Sequence, residues 1–131
     1  MAWVGGSCHC GRIKYRADVG FDDPTFRCNC SICTKSRAWI LPLDPARLVV
    51  ESGLDDAGIY TFGEGGIEHI FCRTCGIKPF GKTMPKSAMH PFAVVNVATL
   101  DLQPEDLARF AVKYADGLHD SQDPPPVVSY L

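Results

Sequence analysis

The chain of 131 residues predicts a mainly β fold stapled by metal. Three observations carry that expectation. Glycine and proline recur roughly every ten residues, which favours short strands joined by turns. Between these breaks lie alternating or continuous apolar runs. Seven cysteines gather in three tight clusters, Cys8-x-Cys10, Cys28-x-Cys30-x-x-Cys33 and Cys72-x-x-Cys75.

The elements follow in order. Arg12–Ala17 alternates polar and apolar residues, the pattern of a strand with one wet face. Ala38–Leu41, Leu48–Glu51, Ile59–Phe62 and Ile67–Phe71 read as further strands. Phe92–Val97 is almost continuously apolar and suits a central strand. One short helix is expected at Gln103–Ala108, where Pro104 sits at a first-turn position and acids follow it. Asp123–Pro126 (Asp-Pro-Pro-Pro) predicts a stiff surface segment.

Bulk properties narrow the function classes. The length fits a single domain, 1–131, which buries about two-thirds of its unfolded surface. The formal charge is −2, and thiolates holding divalent ions make it more negative. A nucleic-acid partner, which needs a basic face, is not expected. No apolar run reaches the length of a membrane helix, and no basic-then-apolar leader opens the chain, so no membrane partner is expected. An odd cysteine count argues against a full disulfide framework. Together these suggest a cytoplasmic protein whose clustered thiols bind metal or do chemistry. A homo-oligomer is compatible with the sequence.

The cysteines divide as four plus three. In a strand, Cys8 and Cys10 would aim their sulfurs at one point, with Gly5, Gly6 and Gly11 letting the backbone wrap a metal. Cys72 and Cys75 flank a tight turn, and Gly76 is expected to relieve crowding after it. The two pairs together make a closed four-sulfur site. Cys28, Cys30 and Cys33 form a tripod with one position open, the pattern of a catalytic zinc. Sulfur ligands favour zinc, although ligand type alone leaves iron open. Two zinc ions per chain are expected. A small-molecule thiol is a natural fourth ligand, which zinc would hold as a nucleophilic thiolate. A bound water is the other option.

Arg27, Lys35 and Arg37 surround the tripod. Lys35 and Arg37 could bind the carboxylates of an anionic thiol such as glutathione. They could equally offset thiolate charge or face solvent. His9 should point away from the sulfurs beside it, and His69 reads as a core or surface residue. His90 has no motif. His119 follows Ala115-Asp-Gly-Leu118, a turn-like segment that could close over a site. No Ser–His–Asp set or carboxylate pair is legible. Gly63-Glu-Gly-Gly66 lacks the strand-to-helix context of a phosphate loop.

Three motifs then point to a family. Gly-Ser-Cys-His-Cys-Gly at 6–11, Cys-Asn-Cys-Ser-Ile-Cys-Thr-Lys at 28–35 and Phe-Cys-Arg-Thr-Cys-Gly at 71–76 resemble the glutathione-dependent formaldehyde-activating family, also called the centromere protein V type. Val50–Gly53, Ile59–Phe62, Val95–Val97, Leu100-Asp101 and Asp116-Gly117 extend the resemblance over nearly the whole chain. It implies an Mss4-like fold of stacked antiparallel β-sheets with short helical turns. It implies a structural zinc on Cys8, Cys10, Cys72 and Cys75, and a catalytic zinc on Cys28, Cys30 and Cys33. The implied activity is that of a carbon–sulfur lyase joining formaldehyde and glutathione as S-hydroxymethylglutathione. The partners are then a small thiol and a small electrophile. Two alternatives use the same thiols: a non-catalytic zinc module for protein interaction, and a metal or redox sensor.

Overall fold

Alternation writes the first sheet. In the computed structural model, which describes residues 1–63, 66–85, 87–121 and 123–131, β1 (Ala2–Ser7), β2 (Lys14–Val19) and β5 (Leu48–Ser52) form an antiparallel sheet in the order β1-β2-β5. Tyr15, Ala17 and Val19 of β2 point inward and are buried, while Lys14 and Arg16 face water. The strand expected at Arg12–Ala17 thus begins and ends two residues later.

The second sheet has seven strands. Their order is β10 (Val112–Ala115), β3 (Thr25–Cys28), β4 (Ile40–Leu43), β9 (Ala93–Asn96), β8 (Phe80–Thr83), β7 (Ile67–Cys72) and β6 (Ala57–Tyr60). All pairs are antiparallel except β10 with β3, which is parallel. The apolar run at Phe92–Val97 does supply a central strand, β9, flanked by β4 and β8. Its last residue instead opens a single 3-10 turn, Val97–Thr99. The helix expected at Gln103–Ala108 is α2 (Pro104–Leu107), with Gln103 as its N-cap. The second helix, α1 (Ser31–Ser36), lies inside the cysteine tripod.

One apolar core lies between the sheets. Ile13, Tyr15, Ala17 and Val19 meet Leu41, Leu43, Ile70, Phe80 and Val95. The Tyr15 ring sits edge-on to Phe80 at 5.5 Å, and its hydroxyl shares a 2.7 Å hydrogen bond with Thr99 Oγ1. Gly6 makes this possible, because a Cβ there would lie 2.3 Å from the Tyr15 ring. Gly5 and Gly6 therefore sit in strand β1, and Gly6 serves packing and does not wrap a metal as expected. Of Gly63–Gly66, Glu64 and Gly65 lie outside the described residues. Pro125 is buried, while Asp123, Pro124 and Pro126 are exposed as expected of a surface segment.

Register separates the two faces of the large sheet. Ile70 pairs with Phe80, Phe80 with Val95 and Val95 with Leu41, so these share the inner face. Their neighbours fall on the outer face: Phe26 opposite Ile40, Pro42 opposite Val94, Val94 opposite Gly81, and Gly81 opposite His69. Cys28, two residues after Phe26, shares that outer face.

The Asp23–Arg47 pair ties the β2–β3 turn to the segment before β5. Arg47 Nη2 lies 2.6 Å from Asp23 Oδ2, and the Gly20 N–H donates to the same oxygen at 2.8 Å. Burial raises the Asp23 pKa, but these partners outweigh it and hold the carboxyl below its ordinary value. A depressed folded pKa gives stability that is present above the unfolded value of about 3.9 and is lost as pH falls through the folded value. Asp23→Asn should therefore lower the melting temperature at pH 7, and the gap to the native protein should shrink as pH falls below the unfolded value of about 3.9. Thermal melts across this range check this.

Candidate metal centre

The four-sulfur group is built by two matching turns. Cys8 follows β1, and Cys10 lies in the turn before β2. The pair is not in a strand, so a turn brings its sulfurs together in place of strand alternation. The Gly11 N–H donates to the Cys8 carbonyl at 3.2 Å, and the Cys8 N–H to that of Ile13 at 3.1 Å. The same pattern recurs at the end of β7. Gly76 N–H donates to the Cys72 carbonyl at 2.8 Å, and Cys72 N–H to that of Ile77 at 2.9 Å. Gly76 has φ +79°, and a Cβ there would meet nothing within 4 Å. Its role is the left-handed backbone and not the expected relief of crowding.

These turns bring Cys8, Cys10, Cys72 and Cys75 within 4.8 Å of one another. Two measured edges are 3.7 Å (Cys8–Cys10) and 3.6 Å (Cys10–Cys72). A tetrahedral zinc with ordinary Zn–S bonds needs sulfur–sulfur edges of about 3.8 Å. Backbone N–H groups also point at the sulfurs, from Ile13 to Cys8 at 3.3 Å and from Thr74 and Cys75 to Cys72 at 3.4 Å each. Four donors fill a tetrahedron and leave no open position. Donor type, number and spacing all fit zinc.

The tripod stands on the outer face. Cys28 ends β3, Cys30 is the N-cap of α1 and Cys33 lies inside that helix. The three sulfurs lie within 4.8 Å of one another. A hydrogen bond from the Cys33 thiol pulls the Cys30 pKa down to about 5, against burial. The same bond, with burial, pushes Cys33 up. This donor set also fits a divalent ion, with one ligand position to spare.

A second layer fixes the tripod. Buried Asn29 donates to Asp116 Oδ1 at 2.8 Å and accepts the Leu118 N–H at 3.0 Å. Asp116 Oδ2 in turn meets His119 Nδ1 at 2.7 Å. The Asn29 amide, then His119, hold the Asp116 carboxyl below its ordinary value. The segment 115–118 therefore does close over the site, as its turn-like sequence suggested. Gly117 packs directly on the tripod: a Cβ there would lie 2.6 Å from Cys28 Sγ and 2.8 Å from Cys30 Cβ.

The basic residues divide. Lys35 is exposed at the end of α1. Arg37 follows it with φ 52° and donates to the Tyr130 carbonyl at 3.3 Å. Arg27 lies over the Trp39 ring at 5.3 Å. Arg27, Cys28, Cys33, Thr34 and Arg37 line a cleft that Tyr130 and Leu131 narrow to about 10 Å³. That is room for one water. Thr34 Oγ1 is buried there with no partner among the described residues.

The sequence did not single out Lys78. It is half-buried, and burial lowers its pKa while the Cys33 and Cys30 thiols pull it back up. Its Nζ lies 3.4 Å from His69 Nδ1. His69 is thus half-buried beside a cation and not simply a core or surface residue, and burial, then Lys78, lower its pKa. A lone lysine in the apolar run Ile77-Lys-Pro-Phe80 was the available signal. His9 and His90 are exposed and belong to neither sulfur group.

The fold and sulfur geometry define a two-sheet protein with a four-sulfur and a three-sulfur group, each able to hold a metal ion such as zinc. The model of the family described as "Glutathione-dependent formaldehyde-activating enzyme" matches residues 3–115, and the chain belongs to that family. A relative from Halomonas elongata, provisionally named a glutathione-dependent formaldehyde-activating enzyme, is 34% identical over 111 residues. That match covers 76% of this chain and 69% of the relative. A crystal structure of a Rhodobacter sphaeroides protein matches with a TM-score of 0.67 and 32% identity, over 83% of this chain and 99% of that one. Among the described residues, no helix is long and apolar enough to cross a membrane.

Gly117→Ala tests the contact over the tripod. The added methyl should push Cys28 and Cys30 apart. Metal content by mass spectrometry should fall by one equivalent per chain relative to the native protein, while the far-ultraviolet circular dichroism stays native.

Proposed function

We propose that this protein is a zinc-dependent carbon–sulfur lyase acting on an adduct of glutathione and a small aldehyde, with S-hydroxymethylglutathione as the reference product. The observation that carries this is the three-sulfur group with one ligand position free, set on the accessible face of the sheet. Zinc, when bound there, acidifies a thiol joining it as fourth ligand.

The chain's own residues do the rest. Cys28, Cys30 and Cys33 hold the catalytic ion, and Cys8, Cys10, Cys72 and Cys75 hold the structural one. Asn29, Asp116 and Gly117 keep the tripod in shape. Arg37 and Lys35 take the carboxylates of glutathione, with Arg27 beside them. For Arg37 this requires Tyr130 and Leu131 to move, because they fill the cleft. In the forward direction the thiolate sulfur bonds to the carbonyl carbon, the C=O π pair moves to oxygen, and that oxygen gains a proton from water. The reverse removes the hydroxyl proton and releases sulfur as thiolate.

Two substitutions separate the sulfur groups. Cys30→Ser should lose at least about a hundredfold in turnover yet melt within a few degrees of the native protein. An unchanged rate would sink the catalytic assignment. Cys72→Ser should fail to fold or melt far lower, since a structural zinc contributes folding free energy directly. If it melts like the native protein, the two roles are wrongly assigned. Titration with millimolar glutathione, followed by NMR, tests the thiol itself. Shifts near residues 27–37 support the lyase, and their absence supports the interaction module.

A further inference from the structure

The cleft beside the tripod is filled by the chain's own residues 127–131. Tyr130 and Leu131 line it together with Arg27, Arg37 and two of the tripod cysteines, Cys28 and Cys33. The segment bends back on itself, with the Leu131 N–H donating to the Val128 carbonyl at 3.0 Å. Its grip on the rest of the protein is slight. Among the described residues, one hydrogen bond joins it to the remainder, from Arg37 Nη1 to the Tyr130 carbonyl at 3.3 Å. Val128 and Leu131 are half-buried, whereas Val127 and Tyr130 are 59% and 43% exposed. A segment with so few buried contacts opens at low cost. Buried Pro125 anchors the chain just before it, so residues 127–131 can lift without disturbing the core.

The segment also matches poorly what it covers. Arg37 lines the cleft from a left-handed backbone, φ 52°, which a residue other than glycine rarely adopts. Its guanidinium carries five N–H donors in a fork suited to a carboxylate, yet it meets one neutral carbonyl. Among the described residues, neither Arg27 nor Arg37 has a carboxylate within ion-pair distance. Thr34 Oγ1, buried in the same cleft, has no partner among them either. Two guanidinium groups and a hydroxyl thus keep hydrogen-bonding capacity that the segment leaves unused.

We propose that residues 127–131 are an autoinhibitory strap, which holds the cleft shut until an anionic thiol displaces it from Arg37. The inference rests on the thiol placement proposed above. With the strap seated, the cleft has room for one water beside Cys28 and Cys33, about 10 Å³. With the strap lifted, both arginines and Thr34 are open to a ligand beside the tripod. A carboxylate then replaces the Tyr130 carbonyl on Arg37, exchanging a neutral acceptor for a charged one that binds about twice as strongly. The exchange is non-covalent. A strap seated about nine-tenths of the time weakens the apparent affinity for the thiol about tenfold.

The test uses the full zinc-loaded chain, glutathione as the probe, and a double variant, Val128→Gly with Leu131→Gly, which removes the two half-buried anchors of the strap. Calorimetry should show this variant binding glutathione about tenfold tighter than the native protein, with native zinc content. Adding Arg37→Gln to it should erase the gain. In the native protein, glutathione should move the Ser129, Tyr130 and Leu131 amide signals to random-coil positions by NMR, a readout that stands whether or not the variant folds. Equal affinities, or amides that stay in place while residues 27–37 shift, overturn the strap and leave the thiol placement standing. Weaker binding by the double variant makes the segment part of the binding site and overturns inhibition. If glutathione binds neither protein, the thiol placement and the strap fall together.

Discussion

The convergence of four sulfurs between two sheets is the constraint on which the rest depends. Cys8 and Cys10 belong to the turn between β1 and β2, and Cys72 and Cys75 to the turn between β7 and β8. Bringing them within 4.8 Å fixes the small sheet against the far half of the large one. Sixty-two residues separate Cys10 from Cys72, so a metal tie here closes a long loop. The apolar core then fills the space so defined, with Tyr15 and Phe80 meeting across it at 5.5 Å.

Strand parity carries that constraint to the other sulfur group. Cys72 lies on the buried side of the large sheet, and Cys28 lies on the side carrying Phe26 and Ile40. In the four-sulfur group Cys8 and Cys72 are buried and Cys10 is exposed, while all three tripod cysteines are half-buried. Strand parity thus sets Cys72 and Cys28, one donor of each group, on opposite faces of the large sheet. The three-donor group is the one left with a ligand position to spare.

Much of this was legible in the chain, for a physical reason. Metal-ligand spacing is local, so the division of seven cysteines into four and three survives any error in strand boundaries. The central position of β9 was legible too, because a strand flanked on both sides is largely apolar, here with Ala93 and Val95 buried on the inner face and Val94 half-buried on the outer one. What failed was long-range or steric. The space that Gly6 leaves for Tyr15, nine residues away, has no trace in a turn-former's identity. The left-handed backbone at Gly76 looked like crowding relief. Asn29 lies between two cysteines that draw attention first, and its partner Asp116 is eighty-seven residues distant. Lys78 and His69 meet only because β7 and the loop before β8 fold together. Period-two alternation does put His69 beside Ile67 and Phe71 on one face, but it cannot show which residue faces it across the turn.

The tripod's own sequence is too short to hold its shape, and its support comes from the other end of the chain. Cys28, Cys30 and Cys33 span a strand end, a cap and one helical turn, none of which is rigid alone. β10 pairs parallel with β3 and delivers Asp116 and Gly117 directly over the sulfurs. Asp116 fixes Asn29 from the side, and Gly117 approaches closely enough that no larger residue fits. A parallel pair needs a long crossover, and here that crossover is most of the protein. The geometry of the open site is therefore set only when the fold is nearly complete. That accounts for why a sheet otherwise antiparallel carries one parallel strand at the edge where the tripod stands.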